Sequence, residues 1–251
     1  MVTRDTFRDI IWKLPSDKMV GVNRPTKRIL EYAKIHTIGD IAAAPAGLLE
    51  KLFGKWGGYM HRYANGDDNT PVKHKDYIRP HKSLGSNETT PRDMETLDDV
   101  KRVVYMRSEI VATKLRQHRL KCRTVKLTIR ENDLRYCDRQ GKLEMPTFVS
   151  GQIADKAMEV FRTRYNFTKP LRSIGVRAAD LIPENEAIQS NLFFDMEQYE
   201  KEERLEQAID KIRAVYGYNI IHHAVIYEDR ALTYVPPEYD RSLFLAGDLN
   251  I

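Results

Sequence analysis

The residues best suited to chemistry lie in a short turn, Gly21-Val22-Asn23, which is followed by Arg24, Pro25 and Thr26. We interpret this stretch as helix, tight turn and helix, the pattern of a helix-hairpin-helix unit in which Asn23 replaces the usual second glycine. Glycine and asparagine tolerate the left-handed backbone that a tight turn needs. Amide N–H groups at the start of the next helix would then bind an anion such as a DNA phosphate. An ordinary helical turn is the alternative, and these residues do not decide between the two.

Paired carboxylates are the next candidates, because two-metal phosphoryl transfer needs carboxylates that converge on ions about 4 Å apart. The pairs are Asp67-Asp68, Asp98-Asp99 and Glu202-Glu203. The first lies in a turn and the others on polar helix faces, so we interpret all three as solvated surface. The seven histidines show no ligand spacing, and His222-His223 would point to opposite sides of a strand. We therefore expect no catalytic residue, metal site or cofactor in this chain.

Charge and cysteine usage narrow the class of protein. Lys and Arg number 41 against 36 Asp and Glu, a net charge of +5. Residues 72–130 contain fifteen basic and seven acidic side chains, whereas residues 184–210 contain two basic and nine acidic. A basic middle favours a polyanionic partner, although a well-solvated surface is the alternative. Only Cys122 and Cys137 occur, and no apolar run has membrane-spanning length, so we expect a reduced, cytoplasmic protein.

The order of helical and strand-like segments predicts an α+β protein. Residues 1–72 are expected to form an all-helical domain, 73–81 a basic linker, 82–183 a second domain and 184–251 an acidic tail. In the second domain the order is β-α-β-β-α-β, which predicts a four-stranded sheet with both helices on one face. Predicted strands cover residues 82–89, 122–130, 143–148 and 171–178, with helices beginning at Pro91 and Ser150. Gln140-Gly141 is assigned to the turn before the third strand.

Alternation along the strands predicts which residues face the helices. Val125, Leu127 and Ile129 share one face. The other face would be small, polar and cationic, which suits a phosphate backbone, with an ordinary solvated face as the alternative. That face would carry Thr124, Lys126, Thr128, Arg130, Ser173, Gly175 and Arg177. Further candidates for phosphate contact are Arg79, Lys82, Ser83 and Arg172.

Beyond residue 183 the sequence predicts a flexible acidic segment and then a charged amphipathic helix over residues 197–215. Leu205, Ile209 and Ile212 fall on one face of that helix, and Gly217 ends it. A short strand is expected at Val225-Ile226-Tyr227.

The order of these parts resembles the C-terminal half, thumb and little finger, of bacterial Y-family translesion DNA polymerases of the DinB/UmuC type. The resemblance runs from residue 1 to about residue 216, and departs from the family at Asn23, where a glycine is usual. It is carried by residues 11–15 with 19–22, 35–41, 64–72, 82–85 with 90–93, and 172–176.

This resemblance implies a DNA-binding function in lesion bypass, in which the chain grips primer–template DNA through backbone phosphates. The family's palm and fingers precede this region and carry the metal-binding carboxylates, so Mg²⁺ belongs to the parent polymerase and this chain alone is expected to be inactive.

Gln189-Ser190-Asn191-Leu192-Phe193 resembles the peptide that binds the bacterial sliding clamp, with Gln189, Leu192 and Phe193 as the contact residues. Alternatively, Leu192 and Phe193 pack onto the domain. A free-standing, non-catalytic DNA-binding or repair-complex adaptor and a helical protein-interaction module are the rival functions.

Overall fold

The structure of this chain is a computed structural model. It describes residues 2–3, 5–75, 77, 80–187 and 195–233. The chain divides into two compact units, residues 1–78 and 79–251, which we call the helical unit and the sheet unit. The division falls within the segment predicted to be a linker. None of the described helices combines the length and apolar character that crossing a membrane requires.

The helical unit is built from short helices around a small apolar core. Buried side chains from all but the first helix form that core, among them Leu30, Ile41, Leu49 and Met60. A single 3₁₀ turn at Ser16–Lys18, rather than an α-helix, precedes the turn at residues 21–23. The helices are α1 (Phe7–Ile11), α2 (Arg24–Tyr32), α3 (Ile38–Ala43), α4 (Ala46–Phe53) and α5 (Lys55–Ala64).

The sheet unit contains one four-stranded antiparallel sheet with strand order β1-β4-β2-β3. Two helices pack on it and on each other through fully buried residues such as Val104, Leu115 and Phe161. The predicted α+β class and the order β-α-β-β-α-β are confirmed. The elements are β1 (Ser83–Met94), α6 (Leu97–Gln117), β2 (Leu120–Glu131), β3 (Tyr136–Thr147), α7 (Ser150–Arg164) and β4 (Leu171–Pro183).

Two predicted boundaries in the sheet unit are wrong. No helix begins at Pro91, because β1 continues to Met94 and Thr96 caps α6 through the amide N–H of Asp99. β1 is an edge strand, where a proline costs no sheet hydrogen bond. Gln140-Gly141 lies within β3 rather than in a turn, since the chain reverses at residues 132–135, where Asn and Asp favour a turn.

A third helix of this unit, α8 (Met196–Tyr216), packs by its charged face. Leu205 and Ile212 of the predicted apolar stripe are 59% and 41% exposed. The buried residues of α8 are instead Tyr199, Glu206 and Arg213.

Ion pairs explain why the charged face of α8 turns inwards. The α6 residue Arg116 is buried between two acidic residues of α8, and Ser150 at the start of α7 hydrogen-bonds to one of them, Glu206. Burying these charges is tolerated because each one meets an opposite charge. The pairs are Arg116–Glu206 at 2.8 Å, Arg116–Asp210 at 2.5 Å, Lys121–Glu203 at 2.6 Å and Glu109–Arg213 at 2.6 Å.

The paired carboxylates are not all solvated, contrary to our interpretation. Asp99 is buried, and its Oδ1 lies 2.8 Å from an Arg92 guanidinium nitrogen. Hydrogen bonds from Arg92 hold the pKa of Asp99 well below its ordinary value, against the opposing effect of burial. Glu203 is half-buried and pairs with Lys121. Both carboxylates therefore hold helices in place.

The structure also corrects the prediction for the segment after α8. Tyr218–Ile220 and Ala224–Asp229 form 3₁₀ helices, so the strand predicted at Val225-Ile226-Tyr227 is wrong. His222 and His223 consequently do not diverge, and both reach Glu109 on α6. His222 Nδ1 lies 2.6 Å from Glu109 Oε2, and the His223 amide donates to Glu109 Oε1 at 2.8 Å.

Candidate nucleic-acid interface

The turn at residues 21–23, hereafter the hairpin turn, presents backbone amides at the start of α2. Gly21 has φ +86°, the left-handed backbone that glycine permits. Asn23 does not share it, because its φ and ψ of −89° and 177° are extended. It is the N-cap of α2, and its Oδ1 accepts a hydrogen bond from the Thr26 amide at 3.0 Å. The expected left-handed role of Asn23 is therefore wrong.

Capping by Asn23 decides which amides an anion could reach. The amides of Thr26 and Lys27 already donate to Asn23, and Pro25 has no N–H. The N–H groups of Asn23 and Arg24 have no acceptor among the described residues. These two donors lie at the positive end of the α2 dipole, where an anion is favoured.

Trp56 on α5 packs against the hairpin turn within the helical unit. A Cβ atom built on Gly21 would lie 2.2 Å from Trp56 Cζ2, so the indole ring packs directly against the glycine backbone. The ring is itself held by Tyr59 and Tyr63, each 6.3 Å away between ring centroids. Sequence analysis missed this contact because residues 21 and 56 lie on separate elements.

The sheet face turned away from α6 and α7, hereafter the open face, carries most of the remaining candidates. Lys126 and Arg177 are exposed and directly opposite each other on β2 and β4. Arg130 pairs with Ser173 in the same register, and Thr128 pairs with Gly175. A Cβ on Gly175 would lie 2.8 Å from Asn87 Cβ, so glycine permits the close approach of β1 here. The predicted residues are thus brought together on one face.

Two neighbours on β3 extend this face, and sequence analysis did not select them. Lys142 pairs with Thr124, and Tyr136 pairs with Arg130. The Arg130 guanidinium carbon lies 4.9 Å from the centre of the Tyr136 ring, which is 61% exposed. Cross-strand register across the 132–135 turn is the signal that could have identified Tyr136, but the strand was predicted to start later.

Other predicted phosphate-contact residues are placed less favourably for contact with DNA. Ser173 is almost fully buried, and Ser83 accepts a hydrogen bond from Arg177 at 3.1 Å. Arg172 lies at an irregularity of β4 between Leu171 and Ser173, where it donates to the Thr90 carbonyl at 3.2 Å and lies 3.6 Å from Asp93. Lys82 is exposed just before β1.

Some predicted residues cannot be placed. Arg79 and the clamp-peptide residues Gln189, Leu192 and Phe193 lie outside the described residues. Within the described part of the chain, no group of three or more His, Cys, Asp or Glu side chains is arranged to hold a metal ion.

Comparison with known proteins places these observations in a family. Residues 81–192 match the impB/mucB/samB family C-terminal domain. The chain is 36% identical to DNA polymerase IV of Acetivibrio thermocellus over 92% of its own length and 58% of that protein. It is 33% identical to DNA polymerase IV of Pelotomaculum thermopropionicum, over 86% of this chain and 52% of that protein. The chain thus spans about half the length of the curated relatives it matches.

These matches and the four-stranded α+β unit define the class of protein as a Y-family DNA polymerase domain. The chain corresponds to the C-terminal portion of a DinB-type Y-family DNA polymerase. The resemblance drawn from the sequence motifs is confirmed.

Proposed function

We propose that this chain is the DNA-binding portion of a translesion DNA polymerase that acts in DNA repair. The observation that carries the proposal is the open face, on which Lys126, Arg130, Arg177 and Lys142 occupy neighbouring positions of three strands. Three described carboxylates lie beside this row. Asp138 is opposite Thr128, while Asp180, which accepts a hydrogen bond from Thr124, and Glu144 line the surface next to Lys142. Such a surface attracts a phosphate backbone without reading bases, which suits an enzyme that must accept damaged templates.

The hairpin turn is proposed as a second, independent phosphate contact. The free amides of Asn23 and Arg24 would donate to one phosphate, and the Arg24 side chain adds a positive charge. Because this contact is to a phosphate and not to a base edge, it is also indifferent to DNA sequence. Primer–template DNA is therefore the proposed ligand of both units.

A bacterial sliding clamp is the second proposed partner, and its support comes from the sequence. Gln189-Ser190-Asn191-Leu192-Phe193 offers a glutamine and an apolar pair of the type that fills a clamp pocket. The family resemblance further implies that polymerisation and its Mg²⁺ ions belong to domains preceding this region. Tethering to the clamp would then keep the parent enzyme at the primer terminus.

The DNA proposal predicts strong salt dependence. If about five phosphates are neutralised, log K should fall with log salt at a slope of about −4 to −5. Changing Lys126, Arg130 and Arg177 together to glutamine should make the slope less steep by about 2.7, at about 0.9 per phosphate contact. The measurement is fluorescence anisotropy of labelled duplexes of unrelated sequence at several salt concentrations.

A matched control removes the same charge from elsewhere. Lys201, Arg204 and Lys211 are exposed on α8, whose buried charged residues contact α6, the start of α7 and Lys121 at the start of β2. Changing these three to glutamine should leave the salt slope close to that of the unchanged chain. Equal losses in the two triple variants would mean that net charge, and not the open face, governs binding, and a flat salt response would refute the proposal.

The clamp proposal predicts binding of micromolar strength, because ordering a flexible peptide offsets part of the gain from burying two apolar side chains. Leu192→Ala with Phe193→Ala should abolish binding to a purified bacterial clamp, measured by surface plasmon resonance, with DNA affinity unchanged. Ser190→Leu should strengthen binding, since the family usually has a leucine there. Unfolding of the double variant would show instead that both side chains belong to a core.

A further inference from the structure

Arg130 and Tyr136 form a stacked pair at one end of the open face. They are direct cross-strand neighbours on β2 and β3, and the 4.9 Å distance from the guanidinium carbon to the ring centre is within the range of a cation–π contact. The ring is exposed, whereas Arg130 is half-buried. The Arg130 side chain thus lies against the exposed ring of Tyr136.

Among the described residues, Arg130 has no other side-chain partner that would determine its position. No described carboxylate lies within 4.0 Å of its guanidinium, and its Nε is buried without a hydrogen-bond partner. The carboxylates nearest in sequence are already engaged: Glu131 accepts from Tyr165 at 3.0 Å, and Asp133 lies 2.9 Å from Lys169 Nζ. No carboxylate in the described part of the chain therefore neutralises the charge of Arg130.

The two arginines of β4 show the contrast. Arg177 donates to the Ser83 hydroxyl, and Arg172 donates to the Thr90 carbonyl. Each of these side chains is oriented by a hydrogen bond that uses one of its nitrogens. Arg130 is instead oriented by the Tyr136 ring, so the N–H groups of its terminal nitrogens remain available to a ligand.

We propose that Tyr136 is a positioning residue, which holds the Arg130 guanidinium ready to bind one DNA phosphate through two of its N–H groups. This inference rests on the proposed function of the open face. Arginine presents a planar fork that matches a phosphate, and stacking on an aromatic ring limits the rotamers that the fork can adopt. A side chain that is ordered before binding loses less entropy when the phosphate arrives.

The test is a double-mutant cycle on the full chain, with a labelled 20-base-pair duplex as the probe and anisotropy as the readout. Tyr136→Leu should weaken binding about 2- to 5-fold, the value of an exposed cation–π contact. Tyr136→Phe keeps the ring and should bind as the unchanged chain does. Arg130→Gln should make the salt slope less steep by about 0.9. In the Arg130→Gln background, Tyr136→Leu should have no further effect.

Each other outcome overturns the inference. If Tyr136→Leu weakens binding equally with and without Arg130, the ring acts on DNA by itself. If Arg130→Gln weakens binding but Tyr136→Leu does not, the positioning role is wrong while the DNA proposal stands. If the unchanged chain shows no salt-dependent binding, the proposed function itself has failed.

Two further variants distinguish loss of the ring contact from loss of the fold. Tyr216 is 71% exposed on α8, and no cation from the described residues lies over its ring, so Tyr216→Leu is a matched control that should not alter DNA affinity. Tyr136→Trp keeps an aromatic face and should bind DNA at least as tightly as the unchanged chain, because tryptophan is the strongest cation–π partner. Weaker binding by a folded Tyr136→Trp variant would contradict the positioning role.

Discussion

Replacing Gly21 by alanine is expected to lower the free energy of unfolding of the helical unit by about 2–5 kcal/mol. The left-handed backbone of an L-residue costs about 1–2 kcal/mol. The new Cβ must also displace the Trp56 ring, and overpacking of this kind costs about 1–3 kcal/mol. Both tryptophans, Trp12 and Trp56, lie in this unit, so urea unfolding followed by tryptophan fluorescence reports on it selectively.

Gly47→Ala is the matched control within the same unit. A Cβ on Gly47 would meet nothing within 4 Å, and the residue lies in α4, where alanine is the better helix former. This variant should be neutral or slightly stabilising. Because Gly21→Ala also distorts the hairpin turn, it should weaken DNA binding where Gly47→Ala does not. If Gly21→Ala were as stable as Gly47→Ala, Trp56 would not support the turn as we describe.

Replacing Glu109 by alanine is expected to destabilise the sheet unit by about 3–5 kcal/mol, the range measured for breaking a buried ion pair by removing one partner. Glu109 is 2% exposed and accepts from Arg213 and His222, each at 2.6 Å. Without it, the buried Arg213 charge has no carboxylate within 4.0 Å in the part of the chain that the structure describes. Hydrogen exchange measured by mass spectrometry should increase over residues 195–233, because this carboxylate is one of the buried contacts that attach them to α6.

The same carboxylate predicts how stability depends on pH. Burial alone would raise the pKa of Glu109, but the hydrogen bond from His222 and the charge of Arg213 hold it below its ordinary value. A lowered pKa in the folded state adds stability above the unfolded pKa of about 4.3, and that stability is lost as the pH falls below it. Glu109→Gln should therefore flatten the decline in unfolding free energy below about pH 5.

Glu200→Gln serves as the control for both measurements. Glu200 lies on the exposed side of α8, 3.9 Å from Arg204, and its side chain is 61% exposed. An exposed pair of this kind contributes about 0–1 kcal/mol, so the variant should match the unchanged chain in exchange and in pH dependence. Equal behaviour of the Glu109 and Glu200 variants would show that α8 is not held by its buried charges.

Much of the fold could be predicted, because it depends on local patterns. Alternation along β2 placed Val125, Leu127 and Ile129 in the core, and all three are fully buried. Helical spacing likewise places Val104 and Val111 on one side of α6, and both are fully buried. Errors arose where two local signals competed, as at Pro91, which suits the first turn of a helix but also an edge strand.

The packing of α8 could not be predicted from its own sequence. An apolar stripe normally marks the buried face of a helix. Here Arg116, Lys121 and Glu109 present buried charges on neighbouring elements, and leaving them unpaired would cost more than exposing Leu205 and Ile212. Which face turns inwards was thus decided by charges up to about a hundred residues away in sequence.

By itself, the sequence determined the element order, the polar composition of the open face and the family motifs, because each depends on residues close together in the chain. Only the tertiary structure decided that Trp56 lies against Gly21 and that Arg172 is engaged by the Thr90 carbonyl and Asp93. It likewise decided that Tyr136 covers Arg130. Such contacts depend on register and on the approach of separate elements, which no local spacing of residue types specifies.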